Sequence, residues 1–77
     1  MSDRDLANTL KIHRAMHDLT QAELAERAGT TRVTVNAIEG GRMVPSVLLA
    51  LKLASALGVT VDELFRIDAR QNGSATS

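Results

Sequence analysis

The chain of 77 residues contains no cysteine, one proline and a single aromatic residue, Phe65. Without cysteine it has neither a disulfide framework nor a thiolate metal site. Its two histidines, His13 and His17, are four residues apart with no evident third ligand, so no metal site is predicted. The near-absence of aromatics argues against binding of single-stranded nucleic acid, whose bases stack on aromatic rings. Stability must therefore come from a small aliphatic core.

Long apolar runs are also missing, and none approaches the ~20 residues that a membrane helix needs. Residues 1–5 lack the pattern of a signal peptide, so we expect a cytoplasmic protein with no membrane partner. Nine basic residues balance nine acidic ones, which argues against general coating of nucleic acid but allows one locally basic face. Neither a glycine-rich phosphate loop nor a catalytic triad is visible. We expect no enzyme activity, no cofactor and no small-molecule ligand.

Apolar residues recur at three- and four-residue spacing, which predicts an all-α bundle of short helices. The first predicted helix starts at Asn8 or Thr9 and ends at His17. The second covers residues 21–28, and the third runs from a cap at Thr30 or Thr31 to Glu39. The fourth covers residues 47–57, and the fifth runs from Thr60 through Phe65. On the first of these, Leu6, Leu10, His13 and His17 are expected to share a face. Alternatively, residues 65–67 form a short strand that pairs with residues 5–7. We expect one domain at residues 1–67 and a disordered polar tail at residues 68–77.

Residues 21–41 carry the most informative spacing. Thr20 and Glu23 form a capping-box pattern that opens the second helix. A small residue, Ala25, is followed by a glycine four positions later, and Val35 and Ile38 follow at ten and thirteen positions. Together these positions are typical of a helix-turn-helix motif at residues 21–40, in which two helices cross closely beside a glycine turn.

Several stretches resemble the Cro/repressor-type (XRE) helix-turn-helix family, in its short stand-alone class. They are Leu19-Thr20-Gln21-Ala22-Glu23-Leu24-Ala25, Arg32 to Arg42, Pro45-Ser46, Ala54 to Val59, and Leu64-Phe65. The resemblance runs from about Leu10 to Phe65. It implies a five-helix, lambda-repressor-like DNA-binding domain. It also implies a homodimer that binds a near-palindromic operator in double-stranded DNA.

The resemblance assigns DNA contacts to eight residues: Gln21, Thr31, Arg32, Val33, Thr34, Asn36, Ala37 and Arg42. Of these, Gln21, Thr34 and Arg42 match phosphate-contacting positions, and the position of Gln21 also sometimes braces a recognition residue. Arg32 and Val33 would lie deepest in the major groove. Arg14 and Glu39 match a structural ion pair of the family. The chain departs from the family pattern at three positions. The family often has polar residues at the positions of Val33 and Ala37, and often has asparagine at the position of Gly40.

Physical chemistry supports several of these roles independently. Arginine bonds both acceptors of guanine, valine contacts the thymine methyl group, and asparagine reads adenine. Arg32, Val33 and Asn36 therefore have the side chains of base readers. The alternatives remain that Arg32 contacts phosphate or solvent and that Asn36 is an ordinary surface residue.

Apolar residues near the fourth and fifth helices exceed what a small core needs, and Met43 and Val44 add to this surplus. We predict a homodimer interface formed by Leu48, Leu64, Phe65 and Ile67, with peripheral packing as the alternative. A symmetric dimer would place two recognition helices about 34 Å apart, one turn of DNA.

The predicted function is a sequence-specific transcriptional regulator, a repressor, with the helix at residues 31–39 in the major groove. The alternative is a protein-interaction module, such as the antitoxin of a toxin–antitoxin pair, with a small protein partner. A controller of a restriction–modification operon is a narrower option within the DNA-binding class. Co-purification with a small protein would distinguish the alternative.

Overall fold

Five helices lie between two three-residue strands in the computed structural model, which describes residues 6–68. The order is β1 (Leu6–Asn8), α1 (Leu10–Met16), α2 (Gln21–Ala28), α3 (Arg32–Glu39), α4 (Val47–Leu57), α5 (Val61–Leu64) and β2 (Phe65–Ile67). The predicted five-helix architecture is confirmed, together with the alternative of a terminal strand pair. The predicted tail at residues 68–77 lies outside the described residues except for Asp68. Within residues 6–68 no helix has the length and apolar character needed to cross a bilayer.

The helices begin and end where capping residues occur in the sequence. Thr20 accepts a hydrogen bond from the Glu23 amide through its hydroxyl, and the Glu23 carboxylate accepts one from the Thr20 amide at 2.8 Å. Thr60 and Glu63 repeat this capping box at α5. Gly29 ends α2 with φ of 73°, a left-handed conformation that glycine adopts without strain. Local sequence therefore sets both ends of α2 and the start of α5.

The capping box makes the stability of the fold depend on pH. The backbone amide of Thr20, followed by its hydroxyl, lowers the pKa of the Glu23 carboxyl below 4.5. A lowered carboxyl pKa stabilises the folded state at pH values above the ordinary pKa of 4.5. This contribution is lost as the pH falls through the pKa of the folded state. We therefore expect the free energy of unfolding of Glu23→Gln to fall less steeply than that of the wild type between about pH 6 and about pH 3. Urea unfolding of both proteins across this pH range measures the two free energies. Parallel dependence of the two free energies on pH would contradict the prediction.

The strand pair corrects the predicted ends of the bundle. Phe65 is extended and belongs to β2, not to α5, and Leu6 lies in β1 instead of on the face of the first helix. The strands are antiparallel with Leu6 opposite Ile67 and Asn8 opposite Phe65, so the N-terminal partner is residues 6–8. The Thr9 amide and hydroxyl donate to the carbonyls of Leu64 and Glu63, at 2.9 and 2.7 Å. These bonds extend the pairing and delay the start of α1 to Leu10.

Asn8 was one of two predicted starts of the first helix, and it is instead the last residue of β1. Its Oδ1 accepts from the Leu10 amide at 3.1 Å, and its Nδ2 donates to the Ile38 carbonyl at 3.0 Å. The second bond joins β1 to the last turn of α3. The end of α3 is thereby connected to the strand pair.

The core is aliphatic apart from Phe65 and draws on every helix. Its largest side chains, each less than 2% exposed, are Leu10, Val35, Leu24, Ile38, Leu53, Leu57 and Leu64. Small residues lie between the helices, where Ala25 of α2 and Ala54 of α4 are almost fully buried. They allow close approach of the backbones, so α3 is held against α2 through Val35 and Ile38.

Candidate nucleic-acid interface

Helix α3 divides cleanly between a buried and an exposed side. Val35 and Ile38 are 0% and 1% exposed, whereas Arg32, Val33 and Asn36 face solvent. Val33 is 72% exposed although it is an aliphatic residue on an ordered helix. The structure thus brings the predicted base-reading residues onto one uncovered face.

Two further predicted DNA contacts lie at the start of this face. Thr31 is the N-cap of α3, and its hydroxyl accepts from the Thr34 amide at 3.2 Å. The Thr31 hydroxyl also donates to the Thr34 hydroxyl at 3.1 Å. Thr34 and Ala37 are only half-exposed, so their side chains are less accessible than those of Arg32 and Val33.

Arg14 and Glu39 form a two-pronged ion pair between α1 and the end of α3. Arg14 Nε lies 2.8 Å from Glu39 Oε2, and Arg14 Nη2 lies 3.3 Å from Oε1. Arg14 Nη1 also donates to the Leu19 carbonyl at 2.8 Å. The two side chains are only 16% and 7% exposed, which makes their mutual neutralisation necessary.

A chain of hydrogen bonds runs from this ion pair to the surface. Gln21 Nε2 donates to Glu39 Oε1 at 3.0 Å, and Asn36 Nδ2 donates to Gln21 Oε1 at 3.3 Å. Arg42 Nη2 then donates to Asn36 Oδ1 at 2.5 Å and to the Asn36 carbonyl at 3.4 Å. Three predicted DNA contacts are therefore joined through Asn36, which bonds to both Gln21 and Arg42. The resemblance implied that Gln21 sometimes braces a recognition residue, but the bond from Arg42 was not predicted.

The guanidinium that makes the last bond lies directly beside Gly40. A Cβ placed on Gly40 would overlap Arg42 Nη1 and lie 3.1 Å from its Cζ. The φ and ψ of Gly40 are −83° and 0°, which other residues also adopt. Gly40 therefore provides space for the guanidinium and not a special backbone conformation. In the sequence, the only sign of this space was that position 40 is glycine where the family often has asparagine.

The four residues of the predicted dimer interface do not share one environment. Leu64 and Phe65 are 1% and 8% exposed and belong to the core of the single chain, so they offer little surface to a partner. Leu48 and Ile67 are exposed and stay available for one. Leu64 ends α5 and Phe65 begins β2, which pairs with β1, and both side chains belong to the buried core cluster.

An apolar groove, which the sequence analysis described only in part, lies beside Leu48. Its cavity volume is about 370 Å³ and its walls are Leu6, Val44, Pro45, Val47, Ala50, Leu51, Val61 and Phe65. Val47 and Leu51 are exposed and were not predicted. The signal was their spacing of four on α4, outside the stripe of Ala50, Leu53, Ala54 and Leu57 that faces the core.

Comparison with known proteins agrees with the predicted family. The HTH_3 helix-turn-helix family matches residues 4–64. The chain is 45% identical over 60 residues to an HTH-type transcriptional regulator of Methanocaldococcus jannaschii, covering 78% of this chain and 91% of that protein. It is 41% identical over 63 residues to the HTH-type transcriptional regulator YgzD of Bacillus subtilis, covering 82% and 96%.

A solved structure has the same architecture. The restriction-modification controller protein C.AhdI from Aeromonas hydrophila is similar with a TM-score of 0.68 and 35% identity, covering 70% of this chain and 78% of that chain. The fold and the sequence matches lead to one assignment. The chain belongs to the helix-turn-helix family of XRE type and is a transcriptional regulator with the helix-turn-helix DNA-binding fold.

Proposed function

We propose that this regulator binds a near-palindromic operator in duplex DNA as a homodimer, with α3 in the major groove, and that it acts as a repressor. The exposed face of Arg32, Val33 and Asn36 carries the proposal, because the buried Val35 and Ile38 fix its orientation. A dimer bound over promoter sequence would exclude polymerase. This is the physical basis for repression.

The side chains on this face determine what each can read. Arg32 is able to bond guanine O6 and N7 together, which is worth about 1–3 kcal/mol of discrimination. Val33 is suited to a thymine methyl group and Asn36 to adenine. Gln21, Thr31, Thr34 and Arg42 surround these residues with donors suited to phosphate oxygens, and Ala37 offers only a small apolar contact.

Local charge favours the same face although the chain is neutral overall. Arg32 and Arg42 are both exposed. The nearest acid on α3, Glu39, is neutralised by Arg14. The face is therefore basic where the helix would meet the duplex, and phosphate attraction depends on this local charge.

The apolar groove and the exposed Leu48 and Ile67 support the homodimer. Exposed aliphatic patches of this kind mark interaction sites. A second copy is the occupant we propose, because a net charge of zero gives no repulsion between copies. A twofold axis would also present one α3 to each of two major grooves, about 34 Å apart.

Selection of bound duplexes from a random pool tests the DNA face. We expect Arg32→Ala to lose the preference for guanine at one position of each half-site, a loss of about fivefold to 150-fold in discrimination. The control is Arg66→Ala, which removes an exposed arginine from β2 and should leave every base preference unchanged. If both variants select the same duplexes as the wild type, Arg32 does not read DNA.

The exposed groove also supports a second candidate, an interaction module such as an antitoxin that binds a small protein partner. Sedimentation of the purified chain separates the two. A dimer at micromolar concentration supports the first proposal, whereas a monomer that becomes heterodimeric with a co-purified small protein supports the second.

The similarity to C.AhdI supports a narrower proposal, that the chain controls a restriction–modification operon. The selected duplex would then occur upstream of genes for a methyltransferase and an endonuclease. Its occurrence only beside unrelated genes would contradict this proposal.

A further inference from the structure

The hydrogen-bond chain at the DNA face has a fixed direction. A carboxylate only accepts and a guanidinium only donates, so Glu39 and Arg42 fix the two ends. The side-chain amides of Gln21 and Asn36 lie between these ends, and only one orientation of each amide satisfies every bond in the chain. In that orientation each amide nitrogen is directed toward Glu39, so Asn36 Oδ1 faces Arg42.

Asn36 is thus engaged at both of the groups that adenine needs. Reading adenine requires a carboxamide oxygen to accept from N6 and a carboxamide N–H to donate to N7. In the free protein Arg42 Nη2 donates a hydrogen bond to Asn36 Oδ1 at 2.5 Å, and Gln21 Oε1 accepts one from Asn36 Nδ2. The amide nitrogen retains a second N–H and the amide oxygen a second lone pair. The nearby guanidinium limits readout because its bulk and positive charge lie beside the oxygen that the N6 amino group of adenine must approach.

Arg42 lies in space that Gly40 leaves open. The guanidinium lies where a Cβ at position 40 would be. From there Nη2 also reaches the Asn36 backbone carbonyl at 3.4 Å. The folded-back position is thus supported by three features: the missing side chain of Gly40, the Asn36 side chain and the Asn36 backbone.

We propose that Arg42 is a latch on Asn36, and that Asn36 reads its base only after Arg42 has moved to a DNA phosphate. This inference rests on the proposed function. A phosphate is a stronger partner for guanidinium than a neutral amide, because the hydrogen bond is assisted by charge on both sides. The phosphate contact and the base contact are therefore one coupled event.

The coupling makes the phosphate contact depend on sequence. On a matched duplex the base replaces Arg42 as the partner of the Asn36 oxygen. On a duplex mismatched at that base pair, release of Arg42 would leave the oxygen unpaired in the interface, which is unfavourable. Arg42 then stays on Asn36 and one phosphate contact is lost.

The salt dependence of binding measures this directly. The base pair read by Asn36 is first identified as the one whose preference disappears in Asn36→Ala. We expect the wild type to bind the matched duplex with a steeper log–log salt slope than the mismatched one, by about 0.9 per half-site. Equal slopes for the two duplexes would overturn the proposal.

Gly40→Ala is the matched variant, because it moves the guanidinium without removing any hydrogen-bonding group. We expect it to bind both duplexes with the same, steeper slope, since Arg42 is then free for phosphate on either. Persistence of the wild-type difference in Gly40→Ala would also overturn the latch. If no duplex is enriched at all by the wild type, the proposed function fails; enrichment with equal slopes refutes the latch alone.

Discussion

Glu39→Ala is expected to lower the free energy of unfolding by about 3–5 kcal/mol, because it leaves Arg14 with an uncompensated, largely buried charge. Arg14 would retain only the Leu19 carbonyl. Gln21 would lose its acceptor at the same time. For a small domain this loss is a large part of the total stability. Urea unfolding followed by circular dichroism measures it, with the m-value expected to stay constant.

Two variants separate loss of the pair from loss of a glutamate. Glu26→Ala removes an exposed carboxylate from α2 and is expected to change stability by no more than about 0.5 kcal/mol. The double variant Arg14→Met with Glu39→Met removes both charges and is expected to recover much of the loss, since no unpaired charge remains. A double variant as unstable as the sum of the single changes would show that the ion pair itself, and not the unpaired charge, dominates.

Val47→Glu is expected to weaken self-association by about 100-fold or more, and operator binding with it. Val47 is 78% exposed at the edge of the apolar groove. A symmetric interface would bury the new carboxylate twice, without a partner in either copy. Because position 47 begins α4, a negative charge there suits the helix dipole and should not impair folding. Sedimentation equilibrium without DNA measures the association.

Ile12→Glu provides a closely matched control. Ile12 is also an exposed β-branched residue, at 60%, in the first turn of a helix. It lies on α1, away from the walls of the groove. We expect this variant to associate as the wild type does. Equal weakening by both variants would mean that added charge, and not the groove, controls association.

Helix positions could be predicted from the sequence because their signals are local. Thr20, Gly29, Ser46 and Thr60 each act on amides or carbonyls within a few residues, and all four mark helix ends in the structure. The helix-turn-helix spacing was equally informative, since it depends on one close helix crossing. These signals gave the order of the helices and the exposed side of α3.

The strand pair and the bonding of the DNA face depend on contacts between distant residues. Strands of three residues are too short to show an alternating pattern, so β1 and β2 and the burial of Leu64 were not determined by the sequence. Asn36 and Gln21 are 15 residues apart on different helices. The family position of Gln21 implied that it can brace a recognition residue, but not that its partner is Asn36 or that Arg42 continues the chain.

The attachment of α3 at its two ends affects how the partners adapt on binding. Thr31 caps its start, while Asn8 and Arg14 hold its last turn through Ile38 and Glu39. A reading helix fixed in this way has little freedom to tilt, so little conformational entropy is lost on complex formation. The duplex must therefore change its shape to fit the two α3 helices. Operators with easily bent steps between the half-sites should be bound more tightly, even where no side chain reaches the bases.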